Sequence, residues 1–349
     1  MLEPQRILFI RRDNIGDLVC TTPLFAAVRA RFPKAYIALL ANTYCAPVVA
    51  GNPDLDRVYV YAKAKHLPPR RRLAAYWDRV RLVRELRARR FDHVVLAAAS
   101  YYARGLEFAQ WLPTARVIGF ASDDGKRRGL DVALARDKRP RHEVEDLFQL
   151  LAPFGITGKP PSLQLRAEPT HRDQVRAAIH AALGEVQPVA VHISARHPSN
   201  RWHADGYQGL IRALIAQGHV VLLLWSPGES GSATHPGDDA LAQQIVDGVA
   251  DPRLLALPTA RLETLVAALE ASLGAVLSDG GAMHVAAALG KPLVCLFGDS
   301  DPARWHPWQC PHIVLQPASR CVRDLSLSAV LTAVRDQLPS PAVNRAGIS

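Results

Sequence analysis

Continuous apolar runs alternate with helix-length stretches along the chain, and the alternation is laid down twice. In the first half Arg6–Ile10, Tyr36–Leu40, Arg57–Val60, His93–Ala97 and Arg116–Ile118 read as strands, with helical stretches between most of them. In the second half Val189–Ile193, His219–Leu224, Arg253–Leu257, Ala275–Ser278 and Leu293–Phe297 do the same, separated by helices near 205–217, 236–247, 261–271 and 282–289. Apolar runs separated by helices suit the strands of a parallel sheet covered on both faces. At 349 residues the chain exceeds one ordinary core and is comfortable for two. The stretch Gly155–Pro161, rich in proline and glycine, is the natural linker. The expectation is therefore an α/β protein of two Rossmann-like, doubly wound domains facing across a cleft, residues 1–160 and 161–320. Residues 321–349 add a C-terminal helix, near Val322–Leu338, that packs back across the domains and ends in a frayed tail.

Composition narrows the class of partner. With 49% hydrophobic and 21% charged residues there is no case for disorder. The five cysteines are scattered and never spaced as CxxC, which points to free thiols in a reducing cytoplasm and against a zinc site. No apolar segment is long enough for a signal peptide or a membrane span. The net charge of +10 implies an anionic partner: nucleic acid, an anionic membrane surface or a phosphorylated substrate. Between Pro68 and Arg90, Leu73, Tyr76, Trp77, Val80, Val83 and Leu86 recur at helical spacing, with Arg72, Arg79, Arg81, Arg84 and Arg87 elsewhere on the helix. A core-facing apolar stripe and an arginine surface for headgroups or phosphorylated lipid are compatible, because they use different residues.

Four loops after strands carry the chemistry. The opening loop, RRDNIGDLVCTTP (11–23), is poor in glycine and offers a carboxylate, Asp17, which would repel a phosphate. Gly16 allows a tight turn before it, and Thr22-Pro23 caps and starts the helix Leu24–Phe32. The loop after Ala275–Ser278 is different. Asp279, Gly280, Gly281, Ala282, Met283 and His284 lead from a buried strand into an Ala-rich helix whose first N–H groups can receive an anion. Asp279 stands where a helix cap would be, so simple capping is the alternative. After His219–Leu224, Glu229 is placed to accept from a ribose diol, or is an incidental acid in a surface turn. After Val189–Ile193, Ser194, Arg196 and Arg201 can stabilise a diphosphate leaving group. If the nucleotide sits in the second half, Asp17 faces the other substrate and can act as general base on an attacking hydroxyl.

Together these stretches resemble glycosyltransferase family 9, the heptosyltransferases of lipopolysaccharide core assembly. The opening strand with Gly16-Asp17 and Thr21-Thr22-Pro23 matches the family's start. Asp279, Gly281, His284, Ala286–Leu289, Gly290 and Pro292 match its C-terminal signature. Leu296-Phe297-Gly298, Asp301-Pro302, Trp305-His306-Pro307 and His142-x-Val144-Glu145 also fit. The resemblance implies a GT-B fold and inverting transfer without a catalytic metal or other cofactor. The donor, a nucleotide sugar such as ADP-heptose, belongs to the second domain. The acceptor, an anionic phosphorylated lipid-linked saccharide, belongs to the first. It makes Asp17 the base and assigns Ser194, Arg196, Arg201, Glu229 and Asp279 through His284 to the donor. Gly16, Arg70, Arg71, Arg72, Arg104 and His142 go to the acceptor, with Arg127 and Arg128 as further cations. One position departs from the family: where members carry a lysine before the Arg/His-Trp pair, this chain has Asn200, and Arg196 or Arg201 can supply the missing charge. The spacing Asp299-Ser300-Asp301 imitates a metal motif and is read as a loop.

Three rivals are weaker. An epimerase of the same architecture would need no acceptor site. A dehydrogenase would need GxGxxG after a strand, which is missing. A nucleic-acid binder would need a recognisable motif or stacking platform. The expected setting is cytoplasmic, with peripheral attachment to the inner membrane that salt releases.

Overall fold

The computed structural model describes residues 3–62, 69–112, 115–137, 139–229 and 237–340, without the side chains of 69–75. The chain divides into two compact units, Met1–Leu165 and Arg166–Ser349. The division falls later than the Gly155–Pro161 stretch because the chain beyond it is still bound to the first unit. Leu163 and Leu165 are buried, and Gln164 N–H donates to Thr22 Oγ1 at 3.1 Å.

The first unit holds a six-stranded parallel sheet of β1 (Arg6–Ile10), β2 (Tyr36–Asn42), β3 (Arg57–Tyr61), β4 (His93–Leu96), β5 (Arg116–Phe120) and β6 (Val132–Leu134), in the order β3-β2-β1-β4-β5-β6. Its helices are α1 (Ile15–Val19), α2 (Thr22–Arg31), α3 (Pro69–Ala88), α4 (Ala103–Ala109) and α5 (Glu143–Phe148). The second unit repeats the plan with β7 (Val189–His192), β8 (Val221–Trp225), β9 (Leu254–Pro258), β10 (Gly274–Ser278), β11 (Leu293–Leu296) and β12 (His312–Leu315). Their order is β12-β11-β10-β7-β8-β9, the same sequence of pairings. Its helices are α6 (Pro169–Leu183), α7 (Ala204–Ala216), α8 (Asp239–Val249), α9 (Leu262–Ala271), α10 (Gly281–Ala288), α11 (Pro302–Trp305) and α12 (Leu327–Gln337).

Both units are thus Rossmann-like, as expected, and each reverses strand order once. The reversals lie between β1 and β4 and between β7 and β10, where ligands of such sheets bind beyond the strand carboxyl ends. The central strands read as apolar runs because both faces are covered: Ile7 to Ile10 and Ala275 to Leu277 are wholly buried. The edge strands β6 and β12 were not legible as strands, being short and only half-buried throughout.

Two helices show what their apolar faces meet. In α12, Val330, Ala333 and Val334, with Leu338 just past its end, recur at helical spacing and enter the second unit's core beside Leu210 and Leu214 of α7, so this helix is an integral layer of that unit. Among the described side chains of α3, Leu82 and Leu86 are buried, while Tyr76 and Trp77 are 61% and 63% exposed. The apolar stripe therefore faces the core through Leu82 and Leu86, while Tyr76 and Trp77 face solvent. Among the described residues no helix is long and apolar enough to cross a membrane.

Candidate functional site

At the first reversal, Arg11 leaves the end of β1 and turns inward, 3% exposed. Its Nη1 donates to Ala97 O at the end of β4, bridging the two strand ends. Its Nη2 lies 2.6 Å from Asp17 Oδ1 and 3.2 Å from Glu143 Oε1, and its Nε is 3.5 Å from Asp13 Oδ2. Burial alone would lower the Arg11 pKa, but Asp17, Glu143 and Asp13 outweigh it and raise the value. Burial likewise pushes the Asp17 pKa up. Arg11 and the Asn14 backbone and side-chain donors overcome it, so the carboxyl stays below its usual range and ionised. Its side chain remains 14% exposed.

Asp17 is not in an open loop. It lies in the first turn of α1, and its Oδ2 accepts from Asn14 N at 3.1 Å and Asn14 Nδ2 at 2.9 Å, the back-reaching half of a capping box. Capping is therefore a real role of Asp17. The expectation that Thr22 takes the cap instead fails, since Thr22 is already inside α2 and its hydroxyl donates to Val19 O at 2.7 Å. Gly16 is a buried residue of α1 rather than the hinge of a tight turn.

Two further residues assigned to the acceptor adjoin this cluster, His142 as the neighbour of Glu143 and Arg104 through Arg12. Arg104 is exposed, and its carbonyl accepts from Arg12 Nη1. His142 is 2% exposed and N-caps α5, with Nδ1 accepting from Val144 N at 3.1 Å. It is a helix cap beneath the surface. Arg70, Arg71 and Arg72 fall in α3, but their side chains lie outside the described residues. Arg12 was missed by sequence reasoning. Its guanidinium sits 4.8 Å from the Tyr61 ring centroid and 4.7 Å from that of Phe108, fixed beside the β1 end. Arg11 and Glu143 were missed too. The only signal for the arginines was a charged pair directly after a buried strand.

At the second reversal the loops after β7, β8, β10 and β11 meet. Gly280, not Asp279, is the N-cap of α10, with φ 152°, a conformation that favours glycine. Helix geometry leaves the first N–H groups of Gly281 and Ala282 without intrahelical acceptors. The Met283 and His284 N–H groups already turn back to Gly280 O, at 3.1 and 3.4 Å. Met283 is wholly buried and His284 is 2% exposed, packed edge-on to Trp305. Asp279 Oδ2 accepts from Ser300 Oγ at 2.5 Å and from Asn200 Nδ2 at 3.5 Å, so the carboxylate is held by neutral donors.

Ser194 Oγ accepts from Ser226 N at 2.8 Å, tying the β7 and β8 loops. Arg201 is committed to the buried Asp238, Nη1 to Oδ1 at 2.5 Å, whereas Arg196 is exposed. Glu229 is exposed beyond β8, its carbonyl accepting from Gly237 N at 2.9 Å. The Asp299-Ser300-Asp301 triplet is a loop whose carboxylates diverge: Asp299 accepts from Ser199 Oγ at 2.6 Å and Asp301 caps α11 through Ala303 N at 2.9 Å. Among the described residues no group of three or more His, Cys, Asp or Glu side chains is placed to hold a metal ion.

Known proteins resemble this chain in sequence and fold. The family model described as Glycosyltransferase family 9 (heptosyltransferase) matches residues 79–331. The chain is 27% identical over 317 residues to lipopolysaccharide heptosyltransferase 2 of Salmonella typhimurium, spanning 85% of this chain and 84% of that protein. A glycosyl transferase family 9 structure from Veillonella parvula matches with a TM-score of 0.81 at 19% identity, over 95% of this chain and 96% of that one. The E. coli ADP-heptose lps heptosyltransferase II matches with a TM-score of 0.76 at 21% identity, over 95% and 98%. The shared fold is the two-domain α/β fold expected from the sequence.

Proposed function

The chain belongs to glycosyltransferase family 9 and is a glycosyltransferase, and from that premise we propose that it transfers heptose from ADP-heptose to a phosphorylated inner-core saccharide of lipopolysaccharide. The observation that carries the mechanism is Asp17, an ionised and partly exposed carboxylate fixed at the first reversal by Arg11 and Asn14. An acceptor hydroxyl attacks the anomeric carbon of the donor, the bond from that carbon to the diphosphate oxygen breaks, and the hydroxyl proton passes to Asp17. A single displacement of this kind inverts the anomeric centre. Because Asp17 is held below the usual carboxylate range, it is a weak base in the ground state. It gains the proton late, once the forming bond has made the hydroxyl acidic.

Donor binding falls to the second reversal. The Gly281 and Ala282 N–H groups receive the diphosphate with the α10 dipole behind them, and the exposed Arg196 supplies the cation. Arg201 is assigned to holding the loop through Asp238. Glu229 takes the ribose diol and Asp279 the sugar. Neither step calls for a metal or another cofactor, because the leaving diphosphate meets backbone N–H groups and a guanidinium.

We assign the protein to the cytoplasmic face of the inner membrane, where exposed Trp77, Arg81 and Arg84, at spacings of four and three residues along α3, offer one aromatic and cationic face. The test is transfer from ADP-heptose to lipopolysaccharide lacking the outer heptoses, with the product's anomeric configuration read by NMR. Transfer from UDP- or GDP-sugars but not ADP-heptose would overturn the donor assignment and leave the class intact.

A further inference from the structure

We propose that Asn200 is a positioning residue of the donor site: its side-chain amide fixes Asp279 and the Gly298 N–H in one hydrogen-bonded net across the second reversal. The inference rests on the donor assignment above.

Asn200 is 1% exposed. Its Oδ1 accepts from Gly298 N at 2.8 Å, and its Nδ2 donates to Asp279 O at 3.3 Å and faces Asp279 Oδ2 at 3.5 Å. The amide has only one satisfactory orientation. Reversed, it would set its NH2 against the Gly298 N–H and its oxygen against two Asp279 oxygens. The approach also demands glycine at 298, where a Cβ would lie 2.4 Å from Ser199 O and 2.5 Å from Asn200 Oδ1. Ser300 Oγ completes the hold on Asp279, and Gln316 Nε2 donates to Gly298 O at 2.6 Å and Ser300 O at 2.9 Å. One buried amide thus joins the loops after β7, β10 and β11.

The consequence is electrostatic. An aspartate one residue before an N-cap glycine has every reason to swing onto the first turn of its helix and cap it. Asp279 does not, because Asn200 and Ser300 hold its carboxylate aside. The α10 N-terminus therefore stays available for an exogenous anion. The titratable groups facing this net are Asp299, which bonds Ser199 with His197 and Arg320 nearby, and Cys295, a thiol held neutral by its burial.

Asn200→Asp tests the idea. It sets a carboxylate against Asp279, and two carboxylates so close share one proton. ADP is titrated calorimetrically into wild type and variant at pH 6 and pH 8.5, and the ratio of the two affinities cancels the nucleotide's own titration. The expected ratio worsens by about tenfold or more at the higher pH, where the pair carries both charges. A ratio that is unity, or equally poor at both pH values, would overturn the proposal, since loosened packing has no reason to follow a shared proton. Hydrogen exchange on Asn200→Ser gives a ligand-free arm: faster exchange at the Gly298 amide, whose acceptor is the Asn200 side chain, is expected, and unchanged exchange there overturns the net. If wild type binds no ADP, the donor assignment falls, and the exchange arm still decides whether Asn200 holds the loops.

Discussion

Arg11 Nη2 stands 2.6 Å from Asp17 Oδ1 and reaches Glu143 Oε1 at 3.2 Å with the same nitrogen, so one buried guanidinium ties the helix after β1 to the first turn of α5. Asp17 owes its orientation and its charge to that contact together with the Asn14 donors. Asp17→Asn keeps the side chain's size and one acceptor oxygen, and removes the base. Transfer should fall by roughly 10²–10⁴-fold in single-turnover assays. ADP affinity, assigned to the other unit, should stay within about twofold by calorimetry. A large loss of ADP affinity would instead make Asp17 a donor ligand.

The same contact sets the pH behaviour. The base works when ionised, and its pKa is lowered in the folded protein, so activity is present above that lowered value and is lost only as pH falls through it. The acid limb of kcat/KM should therefore lie below the ordinary carboxylate range. Replacing Arg11 by Gln removes the largest opposing influence and leaves burial to dominate, so the limb should move to higher pH. The variant should also lose about 3–5 kcal/mol of stability, because buried Glu143 and Asp17 lose their counter-charge. An acid limb that does not move in this variant would separate Arg11 from the ionisation of the base.

Much of the fold could be read in advance because the central strands are apolar runs buried on both faces, and burial of that kind leaves a mark in composition. β6 and β12 leave none: Val132–Leu134 and His312–Leu315 are half-buried edges whose pairing comes from tertiary context. The turn after β10 was legible as a strand-to-helix turn because Asp279-Gly280-Gly281 sits between a buried strand and an Ala-rich helix. What could not be read was which carboxylate capped which helix. Asp17 completes a capping box with Asn14 while Asp279, the better-looking cap, is drawn aside by Ser300 and Asn200 across long sequence separations. The Tyr76–Trp77 pair failed for a related reason: helical spacing gives a face but not what the face meets.

His142 separates capping from recognition. It is buried, and its Nδ1 is spent on Val144 N. His142→Ala should cost about 1 kcal/mol of stability through the lost cap. The melting temperature should fall by about 2–4 °C. Acceptor KM should remain within about twofold at a temperature where the variant is folded. A selective rise in acceptor KM with an unchanged melting temperature would return His142 to the acceptor site.

Trp77 is 63% exposed and stacks edge-on with Tyr76 at 5.9 Å, and Arg81 and Arg84 continue the same helical face into solvent. Arg79 and Arg87 do not join them. Arg79 lies 4.8 Å from the Trp111 ring centroid, and Arg87 Nε donates to Trp111 O at 2.7 Å, so both are turned onto the protein. Two cations near an anionic bilayer contribute about 1 kcal/mol each. Arg81→Gln with Arg84→Gln should therefore weaken partitioning onto phosphatidylglycerol vesicles by roughly 30-fold at low salt. Trp77→Ala should remove the blue shift of tryptophan emission on vesicle addition, and raising salt to 0.5 M should release the wild type, since screening then acts over about 4 Å. Equal binding to neutral phosphatidylcholine, or retention at high salt, would contradict an electrostatic attachment through this face.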